Sequence, residues 1–182
     1  MARIKMIADK SDVTDDRHAE FDTIVETLHG VRGPFSVLMH SPGLAQKVME
    51  AGAHVRLQST LQQTERELAI IAVSREKDAR YEWAAHVKAG RTAGMREEAI
   101  EAVRNREDVA GLEPDERDVI TFVRQLLQTN KVEQSLFDAL VERHDVRWVV
   151  ELAATIGQYQ YISAINNAFD VQPAADADQL PV

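Results

Sequence analysis

The chain has 182 residues, of which 45% are apolar, 28% are charged and 5% are aromatic, and this composition fits a globular domain with a hydrophobic core. Asp and Glu (30) outnumber Lys and Arg (21), and the formal net charge of −9 argues against nucleic acid as a partner. There are no cysteines, which excludes disulfides, thiolate metal sites and thiol nucleophiles.

The apolar runs and the first residues of the sequence show no membrane or export signal. The apolar runs, such as the one at 68–73, are far shorter than the roughly 20 residues that a membrane-spanning helix needs. The first residues, MARIKMIADKSDVTDD, turn polar within about ten positions and lack the cleavage pattern of a signal peptide. We therefore expect no membrane partner and a cytoplasmic location.

The spacing of apolar residues predicts an all-α fold. Apolar positions recur at spacings of three and four almost throughout, and Gly and Pro lie at segment ends. Only Ile4, Met6 and Ile7 could form a strand. In chain order, the predicted helices span 17–28, 41–57, 64–76, 80–92, 96–103, 113–128, 133–143 and 146–169, with a short helical or turn segment at 34–40.

Several residues at the predicted helix starts can act as N-caps. Asp15 or Asp16 precedes the first helix, and Ser41 precedes the helix that begins with a proline. Thr64 followed by Glu67 has the spacing of a capping box, in which the glutamate bonds back to the backbone of the cap residue. Glu67 therefore has a structural explanation that needs no chemistry.

The end of the sequence differs in composition from the rest. The stretch that follows the last predicted helix, QPAADADQLPV, has no apolar period and is rich in small and acidic residues. Such a stretch cannot bury enough apolar surface to hold one conformation. We therefore expect a single domain at 1–172 and a mobile tail at 173–182.

The helix predicted at 80–92 places a carboxylate and an imidazole on one face. Glu82 and His86 are four residues apart, and side chains at that spacing stand one above the other on a helix. Such a pair can share a proton, a metal ion or a substrate. Tyr81 adds a phenol group beside it.

The segment 64–103 resembles the core motif of the carboxymuconolactone decarboxylase and alkylhydroperoxidase D (AhpD) superfamily. The family pattern has a glutamate in one helix, then a helix reading C-x-Y-C or C-x-Y-E-W with a histidine one turn later, and a turn that ends in glycine. Here Glu67 takes the place of that glutamate, while Tyr81, Glu82 and His86 belong to a Y-E-W-x-x-H sequence.

The resemblance implies an AhpD-like all-α bundle of about seven or eight helices, which forms a homotrimer or homohexamer with the motif helices near subunit contacts. In the peroxidase branch two cysteines reduce the peroxide. Here Ala79 and Glu82 stand at those positions, which excludes a thiol peroxidase mechanism. The chain instead resembles the decarboxylase branch, which uses no cofactor and treats a carboxylated lactone by acid–base catalysis.

The leading hypothesis is a lyase or isomerase that transfers protons on a small carboxylated lactone or carbonyl acid. His86 is the expected acid or base, Glu67 and Glu82 orient and tune it, and Tyr81 donates a hydrogen bond. We expect replacement of His86 to lower the rate and to change stability little.

Residues outside the motif could complete a substrate pocket. Four candidates lie in segments expected to pack near the motif helix: Phe35, His40, Arg56 and Tyr159. Asn166 on the last helix is a further candidate. Each also has a structural interpretation, because single polar or aromatic residues on apolar faces more often serve packing alone.

Two alternatives stay open at this point. The chain could be a non-catalytic oligomeric binding module on the same fold, with a filled interior around His86 instead of a pocket. It could also be a metal-dependent enzyme with Glu67, Glu82 and His86 as ligands, although the motif lacks a second histidine. We expect neither a metal nor a cofactor.

Overall fold

Nine α-helices form the regular structure of residues 2–181, the part of the chain that the computed structural model describes. Their bounds are α1 His18–Leu28, α2 Pro34–Leu38, α3 Pro42–Leu57, α4 Gln63–Glu76, α5 Arg80–Thr92, α6 Glu97–Arg104, α7 Pro114–Thr129, α8 Gln134–Arg143 and α9 Val146–Phe169. This range contains no strand, which confirms the all-α class, and α5 and α9 have the predicted bounds. No helix in it is long and apolar enough to cross a membrane.

The starts of α1 and α3 differ from the predicted caps. Asp15 and Asp16 lie inside a short 3₁₀ turn that leads into α1, so neither side chain caps the helix. Ser41 precedes α3, but its backbone carbonyl, and not its hydroxyl, accepts the Ala45 N–H. Pro42 occupies the first helical position as predicted, because that position needs no backbone N–H.

The helix α4 begins one residue earlier than predicted, and this shift changes the role of Glu67. The Glu65 carboxylate accepts the Gln62 backbone N–H at 2.8 Å and forms the cap of α4. Glu65 also accepts the indole N–H of Trp148 at 3.1 Å, which links the start of α4 to α9. The predicted capping box of Thr64 and Glu67 is therefore wrong, and the Glu67 carboxylate is available for another contact.

The helix α4 is the centre of the larger of two hydrophobic clusters. Its residues from Leu68 to Val73 are all buried, and it packs against α5, α7 and α9. Because this stretch is apolar on every side, it has no face for solvent and lies inside the bundle. A second cluster, with Phe21 and Met49, joins α1 to α3. The helix α9 belongs to both clusters, since Tyr159 lies in the first and Ile162 in the second.

The end of the chain packs back on α5 and α6. The Trp83 indole N–H and Arg104 Nη1 donate to Asp178 Oδ1, each at 2.8 Å. Arg91 Nη1 donates to Oδ2 of the same carboxylate, also at 2.8 Å. Burial tends to raise the pKa of Asp178, but these donors hold it well below its usual range. The mobility of the tail stays a prediction, and any such movement has to break the bonds of Asp178.

Candidate active site

Two buried carboxylates and a partly buried imidazole meet between α4 and α5. Glu67 is 5% exposed and Glu82 is 4% exposed. His86 stands between them, with Nδ1 at 2.6 Å from Glu67 Oε2 and Nε2 at 3.2 Å from Glu82 Oε2. The predicted pair of Glu82 and His86 is therefore formed, and Glu67 joins it. We call this group the Glu67–His86–Glu82 triad.

Glu67 reaches His86 because α4 and α5 approach closely. Gly90 lies one turn after His86 on α5, and a Cβ atom there would be 3.5 Å from the Cβ atom of Glu67. The same Cβ atom would be 2.2 Å from Cε of Met95, whose side chain fills the space. The lack of a side chain at Gly90 thus keeps the backbone of α5 within reach of the Glu67 carboxylate.

The two carboxylates set the charge of His86. Burial on its own lowers the pKa of the ring, but the hydrogen bonds and negative charges of Glu67 and Glu82 outweigh burial and raise the pKa to about 9. The ring is therefore an imidazolium at neutral pH, which is hydrogen-bonded to Glu67 through Nδ1 and forms an ion pair with Glu82 through Nε2. In this state it can act as an acid, and it becomes a base only after losing a proton.

The triad opens on a cavity of about 360 Å³, which is within the size range of small-molecule sites. His86 and Glu82 form part of its wall. Tyr159 of α9 stands edge-on to the His86 ring, with ring centres 4.9 Å apart and ring planes at 87°. The apolar part of the wall includes Leu28, Pro34, Phe35, Met49 and Ile162. The cavity thus lies between the two hydrophobic clusters.

Three of the four predicted substrate-binding residues line this cavity. Phe35, Arg56 and Tyr159 are all in its wall. His40 is not in the wall, and its Nε2 lies 2.9 Å from the carbonyl oxygen of Lys5. The reason is local, since α2 ends two residues earlier and the turn that follows directs the imidazole toward the N-terminal segment.

Two arginines contribute positive charge to the cavity wall, Arg56 of α3 and Arg32 of the loop between α1 and α2. Arg56 Nε donates to the Gly52 carbonyl and Arg32 Nη1 donates to the His29 carbonyl, both at the long distance of 3.4 Å. Neither forms an ion pair with another residue of the described range. Sequence reasoning missed Arg32 because an arginine in a glycine-containing loop belongs to no periodic pattern.

Two phenol groups, those of Tyr81 and Tyr159, line the same cavity. Burial raises the pKa of both hydroxyls, and the negative charge of Glu82 adds to the effect. Both groups therefore stay neutral at physiological pH and can donate. Within residues 2–181 neither hydroxyl has a hydrogen-bond partner, so both are available to a ligand.

Glu82 has a second partner on α9. Asn166, which is 1% exposed, donates its Nδ2 N–H to Glu82 Oε1 at 2.8 Å. The sequence suggested Asn166 as a pocket residue, but the side chain lies behind Glu82 and is not in the cavity wall. Its contact joins helices more than eighty residues apart in the chain, which no local pattern can show.

A glycine in the loop between α1 and α2 leaves room for Tyr81. Gly33 has a φ of 57°, and a Cβ atom there would lie 2.3 Å from Tyr81 Cε1. We predict that Gly33→Ala lowers the free energy of unfolding by about 2–4 kcal/mol, because it adds backbone strain to steric overlap. Chemical denaturation measures this loss.

The matched control for that substitution is Gly43→Ala. A Cβ atom at Gly43 meets nothing within 4 Å, and the residue has no positive φ. We expect this variant to stay within about 0.5 kcal/mol of the wild type. An equal loss of stability in both variants would contradict the contact between Gly33 and Tyr81.

The triad does not have the arrangement of a metal site. Within residues 2–181, no group of three or more His, Asp or Glu side chains is placed to hold a metal ion. Nδ1 of His86 is hydrogen-bonded to Glu67 and Nε2 faces Glu82, so both ring nitrogens are directed at carboxylates. The geometry therefore favours proton transfer within the triad.

Residues 42–125 match the sequence model of the carboxymuconolactone decarboxylase family. This range includes α4 and α5 and with them all three members of the triad. Over residues 42–125 the chain is therefore similar to the carboxymuconolactone decarboxylase family, and it contains no cysteine. No curated protein matches the sequence significantly.

Solved structures share the fold at low sequence identity. A peroxidase-related protein from Ralstonia eutropha JMP134, an alkylhydroperoxidase AhpD core, has a TM-score of 0.79 at 18% identity, over 96% of this chain and 93% of that one. A peroxidase-related protein from Silicibacter sp. TM1040 has a TM-score of 0.74 at 19% identity, over 93% and 91%. The debrominase Bmp8, with a cysteine replaced by alanine and in complex with 2,3,4-tribromopyrrole, has a TM-score of 0.68 at 16% identity, over 96% and 94%. These similarities establish an AhpD-like fold.

Proposed function

We propose that the protein is a cofactor-free enzyme, a lyase or isomerase, that transfers protons on a small carboxylated lactone or carbonyl acid. The observation that carries the proposal is the Glu67–His86–Glu82 triad, which opens on a cavity of small-molecule size. Burying the two carboxylates of the triad costs free energy, and proton transfer is a function that makes use of them.

The groups around the cavity favour an anionic substrate with a carbonyl group. Arg32 and Arg56 have no carboxylate partner among the described residues and can bind a carboxylate that the substrate retains. Tyr81 and Tyr159 can donate hydrogen bonds to the carbonyl oxygen, where negative charge develops. This division leaves His86 to transfer the proton.

In a decarboxylation, loss of CO₂ precedes protonation of carbon. The bond between the α carbon and the carboxylate carbon breaks, and its electron pair moves into the carbonyl group to give an enolate. The Nε2 proton of His86 then goes to the α carbon, and the neutral ring regains a proton from solvent. Nε2 is the better donor, because its contact with Glu82 (3.2 Å) is longer than that of Nδ1 with Glu67 (2.6 Å).

The size of the cavity supports a substrate with a single small ring. A volume of about 360 Å³ lies near the lower end of the range for small-molecule sites. One solved structure of similar fold holds 2,3,4-tribromopyrrole, a compound with one small ring. A lactone ring is of comparable size.

A screen of carboxylated lactones and β-keto acids tests the proposal. Release of CO₂, or exchange of substrate hydrogen for deuterium from D₂O, is measured with the wild type and with His86→Gln. Activity that the variant loses supports the proposal. Turnover that persists in the variant contradicts it, and compounds that bind beside His86 without turnover favour the binding module instead.

We predict that the protein has no thiol-dependent peroxidase activity. It contains no cysteine, so it cannot form the sulfenate through which thiol peroxidases reduce their substrates. Consumption of an alkyl hydroperoxide in the presence of a dithiol should equal that of a buffer blank. A rate that increases in proportion to protein concentration would overturn this prediction and the proposed mechanism with it.

We propose that the chain assembles as a homotrimer or homohexamer. The helix α9 exposes the apolar side chains of Val146 and Val150, one turn apart and 58% and 59% exposed, and Leu57 at the end of α3 is 71% exposed. Apolar side chains grouped on a surface mark protein contacts. Light scattering should give three or six times the 20.4 kDa of one chain. The mass of a single chain at micromolar concentration would contradict this.

A further inference from the structure

Asn166 of α9 is a buried polar residue that makes one bond and leaves its other end unpaired. Its Nδ2 N–H donates to Glu82 Oε1 at 2.8 Å, while its Oδ1 has no hydrogen-bond partner within residues 2–181. A buried acceptor without a partner costs free energy, so an amide kept for stability alone would have both ends bonded. We therefore infer that Asn166 is buried at this position because it bonds Glu82.

That bond determines how the Glu82 carboxylate is turned. Because Asn166 holds Oε1, the remaining oxygen Oε2 faces His86 Nε2 at 3.2 Å. The terminal torsion of a glutamate is broad, so a carboxylate without this bond can rotate away from the ring. The bond thus links α9 to the orientation of the triad on α5.

We propose that Asn166 is a positioning residue, which acts through Glu82 by holding its carboxylate against Nε2 of His86. Asn166 does not line the cavity and has no direct bond to the imidazole, so it is not a catalytic residue. The inference rests on the proposed function only in its consequence for catalysis. The contact itself can be tested without any substrate.

An amide suits this position better than a second acid–base group. Its N–H can only donate to the Glu82 carboxylate, which accepts it through Oε1. At neutral pH an amide N–H neither accepts nor releases a proton, so a proton on the triad cannot pass to α9 through Asn166. Proton exchange is then confined to the side of the cavity, where His86 and Glu82 form the wall.

The charge of His86 is a suitable readout because the groups that face it are known. Glu67 faces the ring from α4, Glu82 from α5 and Tyr159 from α9. The two arginines of the cavity wall come from α3 and from the loop between α1 and α2. Of these groups, Glu82 is the one bonded to Asn166, so a change in the His86 pKa on substitution of Asn166 reports on Glu82.

The test is an NMR titration of the His86 ring in the wild type and in Asn166→Leu, which fills a similar volume without a donor. We expect the pKa of His86 to fall by about one pH unit, because the freed Glu82 carboxylate no longer faces Nε2. Asn167→Leu is the matched control, since its amide donates to the Lys77 carbonyl at 2.7 Å and not to the triad. An unchanged or higher pKa in Asn166→Leu overturns the proposal.

A double variant shows whether Asn166 acts through Glu82. In Glu82→Gln the pKa of His86 should already be lower, and adding Asn166→Leu should lower it no further. Additive shifts would mean that Asn166 acts on the ring by another route, which also overturns the proposal. Asn166→Ala replaces the leucine variant, with the same expected results, if circular dichroism shows that leucine prevents folding.

The titration and the activity screen test separate claims, so a negative result in one does not decide the other. If His86→Gln keeps full activity, the proposed function is wrong even where Asn166→Leu shifts the His86 pKa. If Asn166→Leu leaves that pKa in place, the positioning role is wrong even where His86→Gln is inactive.

Discussion

His86→Gln should lower the turnover number by a factor of about 100 to 10,000, as expected for the loss of a general acid or base. The imidazolium lies in the cavity wall, and a glutamine amide cannot supply a proton in its place. The Michaelis constant should change less, because Arg56 and Arg32 hold the substrate carboxylate in our proposal. Steady-state kinetics with a substrate from the screen measures both constants.

The same substitution should also destabilise the protein, which differs from the expectation drawn from the sequence. His86 is the cation between two buried carboxylates, those of Glu67 and Glu82. Its removal leaves Glu82 buried with only the Asn166 amide, and Glu67 with only the long contact of 3.9 Å to Arg66 Nε. Breaking a buried pair in this way costs about 3–5 kcal/mol. The turnover number must therefore be measured well below the melting temperature of the variant.

Substitutions of the two carboxylates separate charge from shape. Glu82→Gln keeps the shape but removes a charge that raises the pKa of His86, so the alkaline limit of activity should move to lower pH. Glu67→Gln leaves the cap of α4 intact, since Glu65 forms it, and reduced activity in this variant reports on chemistry. Full activity in His86→Gln with a lower melting temperature would make the histidine structural.

Local sequence signals were sufficient to place most helices. Apolar spacing gives the bounds of α9, and Gly94, with a φ of 89°, lies in the turn after α5, where a glycine favours the end of a helix. The predicted caps at Asp15, Asp16 and Ser41 failed because a cap depends on the backbone conformation before the helix. A 3₁₀ turn at the start of α1 and the extra first residue of α4 are not visible in residue spacing.

The triad could be predicted from the sequence because its residues share a helix or a motif. The one-turn spacing gives the pair of Glu82 and His86, and the motif adds Glu67. Arg32, Gly33 and Asn166 reach the site from other segments through tertiary packing, which a single sequence does not encode in any local pattern. The direction of the turn after α2 is likewise not visible in a local sequence pattern. For this reason the sequence analysis wrongly placed His40 in the pocket.

As the pH rises from about 6.5 to 9.5, the free energy of unfolding of the wild type should fall by about 3 kcal/mol more than that of His86→Gln. The pKa of the ring is raised from 6.5 to about 9 in the folded protein. A group whose pKa is higher in the folded protein stabilises the fold fully at pH values below its pKa in the unfolded chain. This stabilisation is lost as the pH rises through its pKa in the folded protein. Each pH unit between the two values corresponds to about 1.4 kcal/mol.

Urea denaturation of both proteins across this pH range measures the effect. Other groups titrate in both proteins and cancel in the difference, which should shrink toward zero near the alkaline end. The two proteins converge there because a neutral imidazole, like a glutamine, leaves Glu67 and Glu82 without a cation between them. Curves that stay parallel throughout would mean that the ring is not protonated in the folded protein at neutral pH. His86 could then not be the acid that delivers a proton to the substrate carbon.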